Sequence, residues 1–231
     1  MAEIPRADSW DGIREAFRWE IPSDYNLARD MVGKWAEAEP DRVALVHLPA
    51  GGPPAEYSYR TLDRLANRLA NLLVARGIGA GDRVAVLLPQ SPEAILTHLA
   101  AYRTGAIVVP LFTLFGPEAL EYRLAHSGAR ALLTDRSNLP KIAEIRDRLP
   151  DLDLVLSTDG PDEGAEDMAA GLERAADRFA PVPTGPETPA FISYTSGTTG
   201  PPKGALHAHR VLLGHLPGIQ LPHRFFPRPG D

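Results

Sequence analysis

The stretch "DRVAVLLPQSPEAILTHLAAYRTGAIVVPLF", residues 82–112, predicts two buried β-strands joined by a helix. The run "DRVAVLLP" is too continuously apolar for a strand with one face in water, which indicates burial on both faces. The helix begins at Ser91, Pro92 and Glu93, which supply an N-cap, a proline in the first turn and an acid, and it ends at Gly105. The run "AIVVPLF" is the next buried strand, and such a strand–helix–strand unit is typical of a parallel sheet.

The same alternation continues on both sides of this unit. Upstream lie two strands, "RVALVHL" and "EYSY", and then a helix with Ser58 as its N-cap and leucines at helical spacing. Downstream, a helix that opens at Gly116 is followed by the strand "ALLTD", the helix "LPKIAEIRDRL" and the strand "LDLVLSTD". An acidic, turn-rich stretch then separates these from a last strand, "AFISYTS". We therefore predict an α/β fold of three layers, in which helices flank a largely parallel sheet built from the strands between Arg42 and Ser196.

The composition excludes several classes of function. The 231 residues include no cysteine, so disulfides, thiolate catalysis and cysteine-bound zinc are excluded. The formal net charge is −6 and the acidic residues are spread out, which does not suggest a nucleic-acid-binding face. The N-terminus lacks the apolar region of a secretory signal, and the longest apolar runs are too short to span a bilayer. We expect a cytoplasmic protein with no nucleic-acid partner and no membrane span.

The loop "YTSGTTGPPKG", Tyr194 to Gly204, has the composition of a phosphate-binding site. It follows the last predicted strand at its carboxyl end, where open α/β sheets bind ligands, and the next segment, "GALHAHRVLLGHL", is predicted to be a helix. Glycines allow close approach of the backbone, hydroxyls donate hydrogen bonds, and Lys203 supplies a compact positive charge suited to phosphate. The glycines are Gly197, Gly200 and Gly204, and the hydroxyls are those of Ser196, Thr198 and Thr199. A flexible surface loop rich in small residues is the alternative interpretation.

This loop does not match the P-loop of kinases and NTPases. That pattern requires Gly-x-x-x-x-Gly-Lys-[Ser/Thr], whereas here Pro202 replaces the second glycine and Gly204 replaces the Mg²⁺-binding hydroxyl. Pro201 and Pro202 also remove two backbone donors. The hydroxyls and Lys203 must therefore provide more of the binding.

The ordered string Thr195–Gly204 resembles the phosphate-loop signature of the adenylate-forming (AMP-binding) superfamily, which includes acyl- and aryl-CoA synthetases. Residues 57–112 and the run "SGARALLTD" resemble other core segments of that family, so the resemblance covers roughly residues 30–210. In the family, the loop holds the β- and γ-phosphates of ATP while a carboxylate attacks the α-phosphorus. The resemblance implies ATP as substrate, Mg²⁺ with it, and coenzyme A as co-substrate.

The resemblance also implies roles for individual residues. The residues implied to bind ATP are Thr195, Ser196, Gly197, Thr198, Thr199, Gly200 and Lys203. Lys203 is the implied catalytic residue, because it would stabilise the pyrophosphate leaving group. The family's adenine-binding segment, ribose-binding aspartate, hinge and late catalytic lysine lie downstream of these positions and are not in the chain.

We do not expect a metal site. His207 and His209 form an H-x-H pair, but two positions along the predicted helix the side chains would point about 200° apart. On a strand the same spacing would suit a metal ion. Ordinary surface or packing roles are therefore the expectation for both histidines.

The function expected from the resemblance is that of the N-terminal part of an ATP-dependent carboxylate–CoA ligase, which forms an acyl-AMP and then a thioester. The isolated chain is expected to be inactive. The run "PPKGALHAHR" is closer to acyl- and aryl-CoA synthetases, such as those of fatty acid metabolism, than to peptide-synthetase adenylation domains, which remain an alternative. A truncated phosphate- or nucleotide-binding module without catalysis is the other alternative.

Three regions are predicted along the chain. Residues 1–40 form an irregular N-terminal segment with a short helix, residues 41–188 form an α/β subdomain, and residues 189–231 contain the last strand, the phosphate loop and the truncated start of a following subdomain. The expected partner is a small carboxylic acid of open identity. Apolar surface left by the missing part would also favour a homo-oligomer.

Overall fold

The computed structural model describes residues 4–5, 7–196, 200–223 and 225. The strands in these residues are β1 (Val43–His47), β2 (Ala55–Ser58), β3 (Arg83–Leu87), β4 (Ile107–Pro110), β5 (Ala129–Thr134), β6 (Leu154–Ser157), β7 (Glu166–Asp167), β8 (Pro189–Thr195) and β9 (Lys203–Ala208). The helices are α1 (Trp10–Ala16), α2 (Lys34–Ala38), α3 (Tyr59–Ala75), α4 (Pro92–Thr104), α5 (Pro117–Ser127), α6 (Leu139–Ile145), α7 (Met168–Arg174) and α8 (Val211–Gln220). A π-helical turn (Arg29–Gly33) precedes α2, and a 3₁₀ turn (Arg146–Arg148) follows α6.

The central sheet has the strand order β7-β6-β5-β3-β4-β8-β9. All neighbouring pairs from β7 to β8 are parallel, whereas β9 is antiparallel to β8. Buried side chains from helices pack against both faces of this sheet. The predicted three-layer α/β fold with a largely parallel sheet is confirmed.

The first two predicted strands do not belong to the central sheet. β1 and β2 pair with each other in a separate antiparallel hairpin, so the prediction that the main sheet uses every strand after Arg42 was wrong. The reason is visible in β1, where Val43 and Val46 are exposed while Ala44 and Leu45 pack against the core. A strand with one solvent-exposed face suits a surface hairpin better than the middle of a sheet that helices cover on both sides.

The segment after the loop is also different from the prediction. Lys203–Ala208 is strand β9, and the helix begins only at Val211, so the expectation of a helix from Gly204 onward was wrong. Alanine and leucine in this segment favour a helix locally, but pairing with β8 overrides that preference. One such cross-strand contact is the stack of the Phe191 and His207 rings, with centroids 4.5 Å apart.

Buried side chains on the two faces of the sheet form two cores. In β3, Val84 and Val86 face the core that contains leucines of α3 and α4. Ala85 and Leu87 of the same strand face the core that contains α5 and α6. Because neither face of β3 meets water, its sequence is apolar at successive positions rather than at every second one.

The predicted start and end of α4 and the predicted N-cap of α3 are confirmed. The Ser91 hydroxyl accepts a hydrogen bond from the Ala94 N–H at 3.3 Å, and Gly105 ends α4 with φ of 73°, a left-handed conformation that suits glycine. The Ser58 hydroxyl likewise accepts a hydrogen bond from the Thr61 N–H at 3.2 Å.

Within the described residues, no helix is both long enough and apolar enough to cross a membrane.

Candidate functional site

The predicted phosphate loop connects β8 to β9 at the carboxyl end of β8. β8 lies beside β4 in parallel, so the loop leaves from the edge of the sheet where the other parallel strands also end. The prediction placed a helix directly after the loop, but the structure places the loop at the tip of a hairpin. The predicted phosphate site therefore has loop amides, hydroxyls and Lys203 as its candidate donors, and no helix N-terminus directly follows it.

The described loop residues lie close together on the hairpin. Thr195, the last residue of β8, pairs with Lys203, the first residue of β9, and cross-strand partners present their side chains on the same face. Thr195, Ser196 and Lys203 are exposed, and Gly200 has φ of 83°, which L-amino acids rarely adopt. Gly197, Thr198 and Thr199 lie outside the described residues.

Gly204 has a steric role that the sequence did not reveal. A Cβ atom there would lie 2.8 Å from Ile192 Cγ2 and 3.3 Å from Tyr194 Cζ. Gly204 pairs with Tyr194 across the hairpin, so the missing side chain leaves room for the tyrosine ring. Tyr194 in turn contacts α5, because its hydroxyl is 2.7 Å from His126 Nδ1.

An apolar cleft of about 950 Å³ opens beside the loop. Its walls come from the residues that follow β3 and β4, from α4 and α8, and from Ser193 and Tyr194 at the end of β8. Leu88, Leu111 and Phe112 give the cleft much of its apolar lining. This cleft was not predicted from the sequence, because it is formed by segments far apart in the chain. The one local signal was that apolar runs continue beyond the ends of β3 and β4.

Two ionisable side chains in the cleft are held neutral. His98 Nδ1 lies 3.1 Å from the Tyr102 hydroxyl, and both side chains line the cleft. Burial lowers the pKa of His98 to about 4 and raises the pKa of the Tyr102 hydroxyl. At neutral pH the pair therefore offers neutral hydrogen-bonding groups to the cleft.

The two histidines after the loop have separate packing roles. His207 stacks on Phe191, as described above, whereas His209 is fully buried and its Nδ1 accepts a hydrogen bond from the Leu27 N–H at 3.1 Å. The predicted helical spacing of the two histidines was wrong, because His207 belongs to β9 and His209 follows that strand. Among the described residues, no group of three or more His, Asp or Glu side chains is arranged to hold a metal ion.

Comparison with known proteins identifies the family. The model of the AMP-binding enzyme family matches residues 32–231. The mitochondrial acyl-coenzyme A synthetase ACSM3 of Mus musculus is 30% identical over 209 residues, which cover 87% of this chain and 36% of that protein. The 3-hydroxybenzoate–CoA ligase of an Aromatoleum strain is 32% identical over 210 residues, which cover 89% of this chain and 38% of the ligase.

Solved structures give the same result. The chain matches the crystal structure of Brucella canis acyl-CoA synthetase with a TM-score of 0.82 and 30% identity, over 93% of this chain and 40% of that one. It matches the anthranilate CoA ligase AuaEII, solved in complex with anthranoyl-AMP, with a TM-score of 0.76 and 29% identity, over 86% of this chain and 38% of that one. The chain thus spans less than half the length of these proteins. Because the family match extends over residues 32–231, this chain belongs to the AMP-binding enzyme family.

Proposed function

We propose that this chain is the N-terminal part of an ATP-dependent carboxylate–CoA ligase, and that it holds the polyphosphate of ATP beside a carboxylic acid. One observation carries the proposal: the phosphate loop and the apolar cleft adjoin at the carboxyl edge of the same sheet. Ser193 and Tyr194 line the cleft, and Thr195 and Ser196, which follow them directly, begin the loop. A polar anion site next to an apolar pocket suits two substrates that must react with each other.

The loop would bind the β- and γ-phosphates. Thr195, Ser196 and Lys203 supply exposed donors on one side of the hairpin, and Gly200 allows a backbone turn that brings amides toward the anion. Gly197, Thr198 and Thr199 are included in the proposed site on their sequence alone. We propose that Mg²⁺ accompanies ATP and is held mainly by phosphate oxygens and water, which this hard cation prefers.

The cleft would bind the apolar part of the acid. Its volume of about 950 Å³ is at the upper end of the range for small-molecule pockets, and the neutral pair His98 and Tyr102 offers hydrogen bonds without a charge. A neutral lining avoids the cost of burying an unpaired charge beside an apolar ligand. Coenzyme A would be the thiol that accepts the acyl group.

The proposed reaction has two steps. A carboxylate oxygen attacks the α-phosphorus of ATP, and the bond from that phosphorus to the oxygen of the leaving pyrophosphate breaks, which gives acyl-AMP. The thiol sulfur then attacks the acyl carbon and loses its proton to the solvent, and AMP leaves with the bonding electrons. Lys203 would act in the first step, because the negative charge on the leaving pyrophosphate grows in the transition state.

A phosphate-binding module without catalysis is the second candidate. It is favoured by the length of the match, since the chain covers only 36–40% of the relatives and structures described above. Under either proposal the isolated chain is expected not to carry out the complete reaction.

A cytoplasmic location stays a prediction from the sequence, and the mouse relative is named as mitochondrial.

The decisive variant is Lys203→Ala, with Lys34→Ala as the matched control because Lys34 pairs with Asp30 and not with the loop. We expect Lys203→Ala to weaken the binding of inorganic pyrophosphate to the 231-residue chain, measured by calorimetry, because one fixed cation is lost. In a longer protein that carries out the reaction, the same change should slow acyl-AMP formation by about 10²–10³-fold. Equal pyrophosphate affinity in wild type and Lys203→Ala would contradict the phosphate site.

Carboxylate-dependent exchange between ATP and pyrophosphate separates the two candidates. The 231-residue chain should show none, with or without the substitution. Exchange by this chain at the rate of a complete ligase would contradict the proposal that further residues are needed for catalysis.

A further inference from the structure

We propose that helix α5 braces the phosphate loop from both sides, with Tyr122 and His126 as positioning residues for the polyphosphate. This inference rests on the proposed function, because it concerns the same loop. Tyr122 reaches the end of the loop at Pro202, and His126 reaches its beginning at Tyr194. Both residues would act through the loop rather than by touching the substrate.

The contact at the end of the loop is a hydrogen bond to a carbonyl group. The Tyr122 hydroxyl donates to the Pro202 carbonyl oxygen at 3.0 Å. Pro201 and Pro202 have no N–H groups, so they cannot extend the hairpin ladder as donors. The side chain of Tyr122 from α5 therefore supplies a hydrogen bond to this part of the loop, where the prolines supply no backbone donor. Lys203 is the next residue in the chain, so the bond fixes the backbone directly before the proposed phosphate-binding cation.

The contact at the beginning of the loop involves the ring of Tyr194. Its hydroxyl is 2.7 Å from His126 Nδ1, and the guanidinium of Arg123 lies 5.8 Å from the centre of its ring. The same ring lies against Gly204, where a Cβ atom would come within 3.3 Å of it. Tyr194 is thus held by α5 and by β9 at the same time. Thr195, the next residue, begins the set of proposed phosphate donors.

The two contacts come from one face of a well-anchored helix. Tyr122 and His126 are one turn apart on α5, and their rings stack with centroids 5.4 Å apart and planes 23° apart. Leu120 and Leu124 of the same helix are fully buried in the core between the sheet and α6. A helix fixed in the core in this way can hold both ends of a hairpin loop at a constant separation.

The brace would keep Thr195 and Lys203, which pair across the hairpin, in place without a following helix. Preorganised donors bind a phosphate more strongly than mobile ones, because less conformational entropy is lost on binding. Loss of either contact should leave the fold intact, since the two hydroxyl bonds lie at the surface of a core that is otherwise apolar. The loss should instead loosen the loop and weaken phosphate binding.

The test uses Tyr122→Phe and His126→Phe in the 231-residue chain. Each variant keeps a ring in place and removes one hydrogen bond. We expect each to raise the dissociation constant for inorganic pyrophosphate by about two- to tenfold, the equivalent of one neutral hydrogen bond. Hydrogen exchange of the backbone amides in residues 194–205 should become faster, while the melting temperature stays close to that of wild type.

Two further variants make the result specific. His126→Asn keeps a hydrogen-bonding group near the position of Nδ1 and should restore most of the affinity. Tyr25→Phe also removes a tyrosine hydroxyl, but its bond is to Asp30 at 2.7 Å, so it should leave pyrophosphate binding and loop exchange unchanged. This control separates the brace from a general effect of losing one hydroxyl.

The outcomes separate the brace from the proposed function. Unchanged amide exchange in both phenylalanine variants would overturn the brace. Faster exchange with unchanged pyrophosphate affinity would overturn the positioning role. If wild type binds no pyrophosphate, or if Lys203→Ala binds it equally well, the proposed function fails and the positioning role fails with it, while the exchange data still decide whether α5 holds the loop.

Discussion

At the scale of single residues, His209 shows how burial sets a protonation state. The ring is fully buried, and its Nδ1 accepts a hydrogen bond from the Leu27 N–H at 3.1 Å. Burial lowers the pKa of His209 to about 4. A proton on His209 Nδ1 would also place that N–H against the N–H of Leu27, and the hydrogen bond between them would be lost. The folded protein therefore requires the neutral ring at this position, and burial has the same effect on His98, whose pKa is also about 4.

The resulting prediction is a loss of stability in mild acid. Between pH 6.5 and about 4, the unfolded chain binds protons on His98 and His209 that the folded chain does not bind. The free energy of unfolding should therefore decrease as the pH falls through this window and level off above it. Urea unfolding at several pH values measures the effect. His209→Asn keeps an acceptor for the Leu27 N–H but does not titrate, so its stability should depend less on pH. An identical pH dependence in this variant would contradict the assignment.

At the scale of secondary structure elements, α3 and α4 are joined by a buried ion pair. Arg103 of α4 is only 4% exposed, and its guanidinium donates to Asp63 of α3 at 2.7 Å and to the side chain of Asn67. Asp63 is itself mostly buried. Removing one partner of such a pair leaves an uncompensated charge in the interior, which is a larger effect than the pair's own net contribution.

We expect Asp63→Asn to destabilise the protein by on the order of 2–4 kcal/mol, because Arg103 remains buried without its carboxylate. Asp41→Asn is the matched control. Asp41 pairs with Arg60 at 3.2 Å, but its side chain is 84% exposed, so its loss should cost less than about 1 kcal/mol. Chemical denaturation of the two variants measures the free energy of unfolding of each. An equal decrease in both would show that burial of the pair of Asp63 and Arg103 does not increase the cost of breaking it.

The elements that the sequence predicted correctly are those with local signals. Helix α4 carries its own start and stop at Ser91 and Gly105, and both work as expected. Strand β9 was mistaken for a helix because its alanines and leucine favour one, and only pairing with β8 decides otherwise. The proposed phosphate loop was visible as a string of residues. Its contacts with α5 were not, because Tyr122 and Pro202 are 80 positions apart in the chain.

At the scale of the whole molecule, the described sheet ends on one side with an exposed strand. β9 is the last strand on its side of the sheet, and Leu206 in its middle is 58% exposed. Open sheet edges with exposed apolar side chains promote pairing with a second chain. This surface gives a physical basis for the expected homo-oligomer.

We therefore predict that the 231-residue chain associates as its concentration rises, and that Leu206→Lys reduces the association. Leu48→Lys is the control, because Leu48 is 72% exposed but follows β1 in the separate hairpin. Static light scattering across a concentration series measures the mass. A monomer at every concentration would contradict the prediction. An equal reduction of association by the two substitutions would show that β9 does not form the contact between chains.

The strand order also affects the chain while it is being synthesised. The middle of the sheet, β6-β5-β3-β4, is complete by residue 157, but its two flanks, β7 on one side and β8 with β9 on the other, are translated last. A ribosome that pauses before residue 166 leaves the outer edges of β6 and β4 unpaired, and the edge of β4 stays open until β8, which begins at residue 189, has emerged. The speed of translation through the last third of the message therefore sets how long a nascent sheet is open to pairing with the product of a neighbouring ribosome.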